Sequence, residues 1–152
     1  MTRTNPRRGA RELVMQGLYQ RQLSGNASDA IAQHLAETDR FAGVDRTFFD
    51  ELWRGVVDEE PALLDALAPH LTRNVAALSP VERAILVIGA WELVHRLDIP
   101  YRVVINEAVE LAKGYGGTDG HRFVNGVLDK FAAGVRADEI RAVAAERFPG
   151  TH

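Results

Sequence analysis

From Ala10 to Phe131 apolar residues recur at steps of three and four, and no stretch alternates residue by residue as a half-buried strand does. Such a chain can bury its apolar surface only by turning helical stripes toward one another, so an all-α bundle of about seven short helices is expected. The sharpest boundary is Ser79-Pro80-Val81-Glu82. Ser accepts from the amide three residues on, Glu reaches back, and Pro fits the first helical position. The helix that follows, to about Arg96, carries Ile85, Leu86, Ile88, Trp91, Leu93 and Val94. It is apolar on most sides and is expected at the centre.

The other helices follow from the same signals. The first is expected from about Gly9 to Leu23, with Ala10, Leu13, Val14, Gly17 and Leu18 on one face, Arg11, Gln16, Tyr19 and Gln20 elsewhere, and Ser24-Gly25-Asn26 as its stop. A short helix spans about Ser28 to Glu37. Asp45 caps one bearing Phe48, Phe49, Leu52, Trp53, Val56 and Val57, and Pro61 opens a separate one with Leu63, Leu64, Leu67 and Leu71 inward. Asp98-Ile99-Pro100 precedes a helix from about Tyr101 to Tyr115, which Gly116-Gly117 stops. Thr118 or Asp119 caps a helix with Phe123, Val124, Val127, Leu128 and Phe131, and Ala137 to Phe148 forms a last amphipathic stretch.

At 152 residues the chain suits one domain, read as residues 1–135 followed by an extension, 136–152, of unassigned role. It has no Cys, which excludes disulfides and cysteinyl metal sites. No apolar run approaches the ~20 residues that span a bilayer, and the first two dozen residues are too charged for a signal peptide, so a cytoplasmic protein is expected. Net charge is -3, but its distribution is uneven. Met1–Gln22 holds five Arg against one Glu, whereas Asn26–Asp65 holds ten acids against three Arg. A basic arm on an acidic body gives a local positive patch, and local potential governs association with polyanions.

No set of residues assembles into an acid, a base and a nucleophile, so no catalysis and no cofactor are expected. Gly114-Tyr115-Gly116-Gly117-Thr118-Asp119-Gly120 lacks the spacing of a phosphate loop and follows no strand, so it reads as a helix-to-helix turn. The five His form no i, i+4 pair around a Glu, and no metal site is expected. Glu107 and Glu110 share nearly one helix face and read as a solvated face. Binding signals are richer. Arg7, Arg8 and Arg11 open the first helix, with Gln16 and Tyr19 one and two turns on. Guanidiniums contact phosphates, amides read base edges and phenol rings stack on unpaired bases; the same residues also suit a plain solvated face. His121-Arg122-Phe123, with Asn125 beyond, fits a stacking platform with a charge beside it, or equally a core Phe beside a snorkelling Arg.

The segments Arg7-Arg8-Gly9-Ala10-Arg11-Glu12 with Gln16 and Leu18-Tyr19, Leu78 to Leu86, and above all Asp98 to Lys113 and Gly117 to Lys130 resemble the NusB family of bacterial transcription antitermination factors. The resemblance covers about Arg7 to Phe131. It implies two packed three-helix bundles and no enzymatic activity. It further implies binding of the boxA element of ribosomal RNA transcripts as single-stranded RNA, together with a ribosomal protein acting as NusE. Other Nus factors and RNA polymerase would complete the complex, and a homodimer is a further implied state. By position, the resemblance implies RNA contacts at Arg7, Arg8, Gln16, Tyr19, Asp119, Arg122 and Phe123, and NusE contacts at Glu82 and Arg83. The first helix and the Phe123 helix are then expected side by side. Two departures stand out: the family often has a basic residue where this chain has Val87, implying a lost polar contact with RNA or partner, and usually Tyr where it has Trp91. The same helical domain also precedes the catalytic half of some ribosomal RNA cytosine methyltransferases. No Rossmann-like half is present in these 152 residues.

Overall fold

The computed structural model describes residues 5–115, 117 and 119–147. Seven α-helices follow one another: α1 (Pro6–Ser24), α2 (Ser28–Ala36), α3 (Arg46–Leu67), α4 (Pro80–His95), α5 (Tyr101–Tyr115), α6 (Gly120–Val135) and α7 (Ala137–Arg147). Single 3₁₀ turns at Asp39–Phe41, Ala68–His70 and Val75–Ala77 link them, and the described residues contain no strand.

Local chemistry explains most of the boundaries. The side chain of Asn5 accepts from the amides of Arg7 and Arg8 and Pro6 takes the first helical position, so α1 begins three residues before the expected Gly9. Gly25, at φ 72°, closes it in the left-handed conformation that favours glycine. Asp45 Oδ1 accepts from the amide of Phe48 to cap α3. At α4 the capping box is complete: Ser79 Oγ accepts from the amide of Glu82 at 3.1 Å, and Glu82 Oε1 accepts from that of Ser79 at 3.2 Å. Asp119 precedes α6, but its side chain makes no capping bond; Gly116 and Thr118 lie outside the described residues, as does Phe148.

Pro61 corrects one expectation. It sits inside a continuous α3 rather than opening a new helix. Proline removes one amide donor and crowds the preceding turn. Phe48, Phe49, Leu52, Trp53 and Val56 before it and Leu63, Leu64 and Leu67 after it are nevertheless all buried. One unbroken apolar stripe outweighs the local penalty.

Helix α4 is the hub, as expected, packing on α1, α3, α5 and α6, with Ala84 to Leu93 buried throughout. Its Trp91 fits because α3 has glycine at the crossing: a Cβ on Gly55 would fall 2.1 Å from Trp91 Nε1. Val87 is fully buried. At that position the chain has a core contact.

The end of the chain is tied into the body. Arg136, the first residue of the expected extension, is buried and donates to the carbonyls of Leu93 (2.7 Å), Arg96 (2.9 Å) and Ile99 (3.0 Å). It also pairs with Glu139, whose Oε2 accepts from the amide of Tyr101 at 2.8 Å. One ion pair thus satisfies the orphan carbonyls ending α4 and an orphan amide opening α5.

Candidate nucleic-acid interface

Helix geometry divides the basic arm. Arg7 turns toward α3, its guanidinium 5.1 Å from the Phe48 ring centroid and 3.7 Å from Asp45 Oδ2. Arg11, expected off the core face, is buried against α4: Nε and Nη2 donate to Glu92 Oε2 and Oε1 at 2.9 and 2.7 Å. Burying this charge is tolerable because the carboxylate is equally buried and the contact is bidentate. Arg8 turns toward α5, and its Nε and Nη2 donate to Glu107 at 3.0 and 2.7 Å. Glu107 is therefore no solvated carboxylate. Its hydrogen bond with Arg8, against the opposing cost of burial, holds it below the usual carboxylate range.

Arg8, Glu12, Gln16 and Tyr19 recur at steps of four, four and three, so they share one face of α1. Gln16 is half-buried and Tyr19 exposed. A groove of about 370 Å³ runs between this face and the last turns of α5, lined by Arg8, Glu12, Glu110, Leu111, Gly114 and Tyr115. Three residues lie between Tyr115 and Asp119, a span of four Cα–Cα steps, so the start of α6 lies within about 14 Å of the groove's end.

Asp119, just before α6, and Arg122 on it are exposed, whereas Phe123 is half-buried against the core. The Arg73 guanidinium stands 4.1 Å from the Phe123 ring centroid, covering one face. The platform therefore has an arginine in it that the spacing gave no reason to choose. Helices α1 and α6 are not closely packed partners: α4 packs on both, and the end of α5 spans the distance. The arrangement expected side by side is instead a bridged one: α1 meets the end of α5 at the groove, and α5 packs on α6.

The two residues expected to meet a protein partner lie within the body. Glu82 is buried; besides its cap it lies 3.6 Å from Arg73, and a Cβ on Gly120 would stand 4.0 Å from its Oε2. Arg83 is half-buried, 3.7 Å from Glu60, which also takes Arg21 at 3.0 Å. Both residues fix α4 against its neighbours, Glu82 beneath the start of α6 and Arg83 against α3.

Among the described residues no group of three or more His, Cys, Asp or Glu is placed to hold a metal ion, and no helix is long and apolar enough to cross a membrane.

Comparison with known proteins agrees with this architecture. The model of the NusB family matches residues 8–133. A protein described as transcription antitermination protein NusB from Azoarcus sp. (strain BH72) is 54% identical over 145 residues, covering 95% of this chain and 94% of its own length. One of the same description from Ralstonia nicotianae (strain ATCC BAA-1114 / GMI1000) is 56% identical over 136 residues, covering 90% and 88%. Among solved structures, one described as "T. maritima NusB" superimposes with a TM-score of 0.76 at 29% identity, covering 87% of this chain and 94% of that one. A chain from a structure of antitermination factors NusB and NusE in complex with dsRNA shares the fold, with a TM-score of 0.71 at 24% identity over 82% of this chain and 94% of its own. On the span of the family match and the identity to these relatives, the chain belongs to the NusB family.

Proposed function

We propose that the protein is a non-catalytic, cytoplasmic transcription antitermination factor that binds boxA-type single-stranded RNA of ribosomal RNA transcripts. It acts with a ribosomal protein in the NusE role and joins other Nus factors on RNA polymerase. The observation that carries the reading is 54% identity over nearly the whole chain to a protein named for that activity. The geometry supports it. A strand laid along α1 meets Arg8, Gln16 and Tyr19, then the α5–α6 turn, then Asp119, Arg122 and Phe123 on α6, with Arg7 flanking the start. Charge and amide groups suit phosphates and base edges, the exposed ring of Tyr19 suits stacking, and Phe123 contributes the part of its ring that Arg73 and the core leave open. Glu82 and Arg83 serve the partner surface as positioning residues, through α4 and the loop bearing Arg73. In this reading residues 1–135 form the RNA-binding domain, and 136–152 add the α7 clamp.

The test is co-purification with the ribosomal partner, followed by titration with a boxA-like strand, a scrambled strand and a duplex of the boxA-like sequence. Preference for the boxA-like strand that weakens as salt rises is expected, with log K falling by about 0.7 per phosphate neutralised for each unit of log salt. Equal affinity for the boxA-like and scrambled strands, or preference for the duplex, would overturn it.

A further inference from the structure

We propose that the groove between α1 and the end of α5 is a slot for one unpaired guanine, with Glu12 and Glu110 as its specificity-determining residues. The inference rests on the RNA-binding reading above.

The groove holds about 370 Å³, within the ~300–1,000 Å³ range of small-ligand clefts. Its chemistry differs from that of the arm beside it. Arg8 has spent its Nε and Nη2 on Glu107, so the polar atoms the lining offers an occupant are chiefly the acceptor oxygens of Glu12 and Glu110. The remaining walls suit a flat ring: Leu111 is buried beneath, Tyr115 is exposed at the end, and a Cβ on Gly114 would meet nothing within 4 Å. The occupant that fits is a planar group with an apolar face and a donor-rich edge.

Carboxylates only accept hydrogen bonds. Guanine is the one common base with two adjacent donors, N1–H and the N2 amino group, which match the two oxygens of a carboxylate. Uracil has a single N–H between two carbonyl oxygens, which these carboxylates repel. Adenine and cytosine set their amino group beside an acceptor nitrogen. Each carboxylate is loosely held in this structure, Glu12 by Arg40 and Glu110 by Lys113, both at 3.4 Å. Such exposed pairs contribute little, so exchanging them for base donors costs little.

The experiment titrates the full chain in complex with its ribosomal partner, at fixed salt, with a short oligouridine and with the same strand carrying one central guanine, inosine or adenine. The guanine strand is expected to bind about tenfold more tightly than oligouridine, and inosine, lacking the N2 donor, to fall between them. Glu110→Gln and Glu12→Gln are expected to reduce the guanine preference below about threefold while oligouridine binds as well as before or better, because a negative charge has gone. Binding of all strands with no guanine preference, or a preference unmoved in both variants, overturns the slot and leaves the RNA-binding reading intact. Binding of no strand overturns both.

Discussion

Arg8 and Glu107, ninety-nine positions apart, form a fork of two hydrogen bonds that ties the opening of α1 to the middle of α5. The carboxylate occupies the guanidinium edge that a phosphate would take in the proposed RNA path, where it would compete with RNA for Arg8. Glu107→Gln is expected to raise RNA affinity several-fold and to steepen the salt dependence by about 0.7 in slope, one more phosphate being neutralised. Adding Arg8→Ala should abolish that gain in the same titration.

The same pair makes stability depend on pH. Glu107 is held below its ordinary value chiefly by the Arg8 hydrogen bond, so its contribution is present above the ordinary carboxylate value, about 4.3, and is lost as pH falls through the lowered one. Asp98, bonded to Arg96, is lowered to about 2 and loses its contribution only as pH falls toward that value. Thermal melts of the parent should therefore decline below about pH 4, and Glu107→Gln should flatten the upper part of that decline.

The Arg11–Glu92 pair is almost fully buried, so losing Glu92 leaves the Arg11 guanidinium with only its longer 3.5 Å contact to Glu107. Glu92→Gln is expected to destabilise the fold by about 3–5 kcal/mol in urea titration, whereas replacing both residues by Met and Leu should come close to the parent.

Arg136→Ala leaves the carbonyls ending α4 without their donor and frees Glu139 from its partner. A loss of roughly 3 kcal/mol is expected, with faster hydrogen exchange at the amide of Tyr101, which Glu139 accepts.

Asp119 is exposed, makes no capping bond, and stands beside Arg122 in the proposed RNA path. Asp119→Asn should leave the melting temperature unchanged and tighten RNA binding about two- to fivefold at low salt. Equal or weaker affinity at fixed salt would remove Asp119 from that path.

Gly55 admits Trp91 at the α3–α4 crossing. Gly55→Ala is expected to cost about 1–3 kcal/mol through overpacking, and Trp91→Tyr in the same chain to recover much of it, by calorimetry of the two variants.

The amino-acid sequence by itself determined the helices and their order, because the signals are short-range. Ser79 and Glu82, Asp45 and Phe48, and Gly25 act within three or four residues of one another, and the apolar steps repeat every turn. Asn5-Pro6 carries the same signal as Ser79-Pro80 and was legible in the same way. The resemblance of Asp98–Lys113 and Gly117–Lys130 to a known family carried the function.

Only the tertiary structure decided which charges face inward. Arg8, Arg11 and Arg136 look alike in sequence. One is half-buried beside a groove, one is sealed against α4, and one caps two helices, because each met a carboxylate or carbonyl that chain folding brought from 37 to 99 positions away. Pro61 stayed inside its helix and Val87 turned into the core for the same reason. A side chain's surroundings are set by whichever helix packs across from it, and no local spacing encodes that neighbour.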